Sequence, residues 1–183
     1  FQLAYTAGAE PIQLQIGEVT GRFFETLGVQ PERGRYISAA DDKAGGPYVV
    51  VLGHEFWVKQ FNKDEQIVGK VIPLSDIMYT VIGVMPASFV SPRVNSEAWT
   101  PVHVSDLSAA NDRGVHILKT YGRLAPGVTL DQAKAEMAVI DQNLAAQYPV
   151  DNKSRVTVLL PLLERIVGDS RQSLLILFAA VTF

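Results

Sequence analysis

Residues Val19 to Arg35 read Val-Thr-Gly-Arg-Phe-Phe-Glu-Thr-Leu-Gly-Val-Gln-Pro-Glu-Arg-Gly-Arg. The stretch predicts a strand running into a short helix that closes on a glycine turn. Thr20 suits an N-cap, because its hydroxyl can accept from an otherwise unpaired amide of the first turn. Phe23, Phe24 and Leu27 fall on one helical face. Gly28 fits the left-handed residue that closes many helices, and Pro31 prevents resumption. A helix of this kind needs a sheet to bury its face, which points to an α+β fold.

Upstream, Ile12, Leu14 and Ile16 alternate with Gln13, Gln15 and Gly17, the period of a half-buried strand. Phe1 to Tyr5 reads as an earlier strand, joined to it by a turn on Gly8 and Pro11. Downstream, Ala39 to Pro47 is polar and glycine-rich and reads as a loop. Tyr48 to Leu52 is a continuous β-favouring run, expected to be buried on both faces. Gly53 breaks it, and His54 to Phe61 predicts a helix. Gly69 to Leu74 and Met78 to Val84 predict two strands with a turn near Ser75-Asp76. Ala98 to Val104 predicts another, with Pro101 confining it to an edge or an end. Past a break at Asn111 to Gly114, a strand is expected over Val115 to Leu124. Thr129 and Gln132 have capping-box spacing. Leu130, Ala133, Met137, Ile140 and Leu144 then mark an amphipathic helix that Tyr148-Pro149 stops. Arg155 to Leu160 predicts a final strand.

Four blocks, "VTGRFFETLGVQPERGRYISAADD", "VVVLGHEFWVKQF", "IVGKVIPL" and "YTVIGVMP", occur in this order from Val19 to Pro86. Together they resemble the MacB-like periplasmic core domain of ABC transporter permeases of the MacB/FtsX class. The resemblance implies a discontinuous porter-like α+β subdomain, here 1–35 with 112–170, and an inserted β-rich subdomain, 36–111. It implies that residues 171–183 begin a transmembrane helix. The apolar run Leu174 to Phe183 agrees, being half of the about 20 residues that cross a bilayer. It also implies a periplasmic position on a bacterial inner-membrane protein. The partners would be a cytoplasmic ATPase domain or subunit, a second permease copy and a periplasmic adaptor, with the membrane reached through flanking helices.

The 183 residues are 48 % hydrophobic, enough for a packed core rather than a disordered chain. A formal net charge of −3 and the lack of any long basic run argue against nucleic acid as a partner. The absence of cysteine removes disulfides, thiolate metal sites and thiol nucleophiles.

No constellation of catalytic, cofactor-binding or metal-binding residues emerges, and no enzyme activity is expected. His54-Glu55 lacks the second histidine four residues on, where Val58 stands, so the zinc-protease helix is not met. His103 and His116 are far away in sequence. Asp41-Asp42 and Asp64-Glu65 are acidic pairs without a calcium loop's spaced ligands, and read as solvated loop charge. There is no phosphate loop and no Gly-x-Ser-x-Gly elbow. Asn152-Lys153-Ser154 matches a glycosylation sequon, a triplet that chance supplies often. Trp57 and Trp99 are expected in the core or between subdomains.

Two functions fit this pattern. The first is a mechanical module that transmits ATP-driven motion of membrane helices so that a substrate is exported or extracted. The second is a soluble module holding a small ligand between its two subdomains, where pockets commonly form.

Overall fold

The structure is a computed structural model and describes residues 1–8, 10–92, 96–102 and 118–165. It contains two compact units, Phe1–Arg123 and Leu124–Phe183. In the first, the elements run β1 (Gln2–Tyr5), β2 (Ile12–Val19), α1 (Phe23–Leu27), β3 (Arg33–Gly34), β4 (Val49–Leu52), α2 (His54–Phe61), β5 (Val71–Leu74), β6 (Ile77–Val84) and β7 (Ala98–Pro101). The second holds α3 (Leu130–Gln147) and α4 (Pro149–Asn152).

All seven strands form one mixed sheet in the order β3-β6-β4-β7-β2-β1-β5. It curls until β5 also pairs with β6. β2 runs parallel to β7, and β4 parallel to β6. β4 meets β7 antiparallel at the centre.

Alternation along the central strands sends side chains to two cores. Val50 and Leu52 join Leu14, Ile16 and Val81 in one core, closed by Phe56 and Trp57 of α2. Val49 and Val51 join Ile82 and Trp99 in the other, against Phe24 of α1. β4 is therefore buried at all four positions, as its unbroken valine run predicts. β7 lies inside the sheet, and Pro101 is tolerated because it is the last residue of that strand.

Gly28 closes α1 in the left-handed region at φ 72°. Thr20 is not the cap: α1 begins at Phe23, and Arg22 precedes it without a side-chain cap. The carboxylate of Asp42 accepts from Gly21 N–H at 3.1 Å instead. Gly21 presses on the backbone of Ser38 and Ala39, leaving no room for a Cβ there.

The sheet draws strands both from residues 1–35 and from residues 36–111. β1, β2 and β3 come from the first 35 residues and pair with β5, β7 and β6 from within 36–111. Residues 118–124 and 155–160 carry no strand, and β2 lies between β1 and β7. The break at Asn111 to Gly114 and the apolar run Leu174 to Phe183 lie outside the described residues.

In the second unit Thr129 accepts from Gln132 N–H, and Gln132 from Thr129 N–H, completing the capping box. The segment after α4 is held to α3 by Asp141, which accepts from Thr157 N–H at 2.6 Å and its hydroxyl at 2.7 Å. Among the described residues no helix is long and apolar enough to cross a membrane.

Candidate functional site

The turn from β3 into 38–42 places one carboxylate under strong constraint. Asp41 is only 3 % exposed, so the expectation of solvated loop charge fails there. Its oxygens accept from Arg35 at 2.6 and 2.8 Å, from Ser38 N–H at 2.8 Å and from the Ser38 hydroxyl at 2.6 Å. The Arg35 hydrogen bonds lead, against desolvation, in pulling its pKa down to about 2. With every strong donor already supplied by the protein, this carboxylate serves as a turn clamp. Its partner Asp42 holds Gly21, so the two residues together fix the entry to α1.

The other flagged groups are dispersed. His54 opens α2, and its Nδ1 lies 2.8 Å from Glu32 Oε2. Asp64 is paired with Lys70, whose hydrogen bond lowers the Asp64 pKa. Glu65 is paired with Arg33 at 2.8 Å. His103 and His116 lie outside the described residues. Among the described residues no group of three or more His, Cys, Asp and Glu side chains could hold a metal ion. Asn152 of the sequon ends α4.

Both tryptophans are core residues, each 2 % exposed. Trp57 lies on the buried side of α2 and donates from Nε1 to the Asp64 carbonyl at 3.0 Å. Trp99 packs on Phe89 and Phe24, with ring centroids at 5.3 and 5.8 Å.

Trp99 also borders a concavity of the first unit, about 490 Å³ in volume. β2, β7, α1 and residues 118–121 surround it. Val19, Phe23, Trp99, Val102 and Tyr121 supply apolar surface, and Arg22 and Lys119 supply cations. Residues 118–123 follow α1 without regular structure of their own. Tyr121 meets Phe23 edge to face at 6.0 Å, and Arg123 Nε donates to the Thr26 carbonyl at 3.0 Å. Arg123 thereby supplies the C-terminal cation that the last turn of α1 lacks. Neither contact was readable in advance, because their partners lie about a hundred residues apart and follow no periodicity.

The family model "MacB-like periplasmic core domain" matches residues 2–148, spanning the whole sheet and α3. The chain belongs to this family. The MacB-like fold extends to solved structures. The periplasmic region of MacB from Actinobacillus actinomycetemcomitans is similar at TM-score 0.55 and 15 % identity, with 83 % of this chain and 65 % of that one covered. The extracellular domain of the noncanonic ABC-type transporter YknZ from Gram-positive bacteria gives TM-score 0.55, 15 % identity and coverage of 83 % and 74 %. This MacB-like chain thus spans 65 % of the length of the MacB periplasmic region. No curated protein sequence matches it. Family membership makes it the periplasmic or extracellular domain of a MacB-like ABC transporter permease.

Proposed function

We propose that this domain transmits movement of the permease's membrane helices, driven by cytoplasmic ATP hydrolysis, to the substrate-handling side of the transporter. The family match over residues 2–148 carries this reading. The architecture supports it. Seven strands from Gln2 to Pro101 are joined in one sheet with a packed core on each face. Close-packed interiors have low compressibility, so a displacement applied at one edge is passed on rather than absorbed. In the whole protein the domain works beside a second permease copy and an ATPase domain or subunit, at the inner membrane of its bacterium.

The test uses the reconstituted transporter with Lys59→Cys in α2. Lys59 is exposed, and the chain has no cysteine of its own. Joining the two external domains with a short reducible bis-thiol reagent is expected to stop substrate movement while ATP still binds. Reduction is expected to restore it. Unimpaired transport by fully cross-linked protein would contradict the reading.

A further inference from the structure

We propose that the concavity between β2, α1 and residues 118–121 is a binding site for a single-chain amphiphile with an anionic head. The proposal stands independently of load transmission.

The volume of about 490 Å³ lies in the range of small-molecule sites, about 300 to 1,000 Å³. Its floor is made by the sheet: Val19 of β2, with the Trp99 indole beside Gly17. Phe23 and Tyr121, packed edge to face, form an aromatic corner above that floor. This surface suits a hydrocarbon body, and burying a chain there removes apolar area from water on both sides.

The charge at the site favours one sign of head group. Arg22 and Lys119 both border the cavity and are exposed, and neither is in an ion pair among the described residues. Glu18, the acidic residue of the lining, already has a partner. Two uncommitted cations beside an apolar trough select a carboxylate-headed chain over a neutral one. Their stems can lie along the chain while their heads meet the anion.

Dodecanoate is the probe, used below its micelle concentration and titrated calorimetrically into the unchanged chain. Dodecan-1-ol is the neutral control. In parallel, Trp57→Phe leaves Trp99 as the sole tryptophan reporter of the cavity floor. Dodecanoate is expected to saturate at one site per chain, shift Trp99 emission and bind more tightly than the alcohol. The double substitution Arg22→Gln and Lys119→Gln is expected to weaken dodecanoate roughly tenfold, the sum of two partly exposed ion pairs, and to leave dodecan-1-ol unchanged. Phe23→Ala is expected to weaken both. Equal affinity for acid and alcohol, no saturation, or no effect of the double substitution would overturn the proposal. So would binding to phosphatidylglycerol vesicles without binding of monomeric dodecanoate, because the surface would then be a membrane contact.

Discussion

Gly17 of β2 and Trp99 of β7 are direct partners in a parallel strand pair, and a Cβ at position 17 would stand 2.6 Å from Trp99 Cδ1. The indole lies where a side chain would be. Gly17→Ala must therefore push Trp99 off Phe24 and Phe89. Overpacking of this kind costs about 1–3 kcal/mol, and a lowered urea midpoint with unchanged slope is the expected result. An unchanged midpoint would show that the indole relocates freely.

Phe24 is fully buried and contacts Phe23, Tyr36, Phe89 and Trp99. Phe24→Ala is expected to destabilise the first unit by about 3–5 kcal/mol, through lost transfer energy and the cavity left behind. Phe23 is only partly buried, and Phe23→Ala should cost less. Denaturant titration of the two variants side by side checks the order.

Asp41 predicts a specific acid sensitivity. Its folded pKa is lowered to about 2 from 3.8, so its contribution is fully present above the unfolded value. That contribution is lost as pH falls from about 4 through about 2. Arg35 is half exposed, so solvent screening reduces the stabilisation to about 1–2 kcal/mol. Asp41→Asn should remove this part of the pH dependence and lower stability at pH 6. Parallel pH profiles of the same steepness between pH 4 and 2 would contradict the assignment.

Thr129→Ala should cost α3 about 1 kcal/mol by removing the acceptor for Gln132 N–H. α3 has no buried residue among those described, so packing there cannot mask the loss. Faster hydrogen exchange over the first turn is the expected readout, with Thr129→Ser retaining most protection.

The legible parts of the fold were those with local signals. The valine run Val49–Leu52, the αL glycine Gly28 and the Thr129–Gln132 pair each impose one local geometry, and each is found as expected. The Thr20 cap failed because α1 begins only at Phe23, which puts Arg22 at the cap position. The short β3 strand at Arg33–Gly34 escaped notice because two residues carry no periodicity. The expected strand over Arg155 to Leu160 failed although its valines alternate, since alternation states a preference for pairing and does not name a partner. The cavity was illegible for the same reason: its walls come from β2, α1, β7 and residues 118–121, and only the fold brings them together.

The most direct test of load transmission is the distance between spin labels at Lys59→Cys in the two copies of the full-length transporter. It is measured without nucleotide and again after vanadate trapping of the hydrolysing state. The account predicts that the distance distribution shifts as a whole between the two states, because the sheet moves as one body with the membrane helices. Identical distributions, recorded in a transporter that hydrolyses ATP and moves substrate, would contradict it.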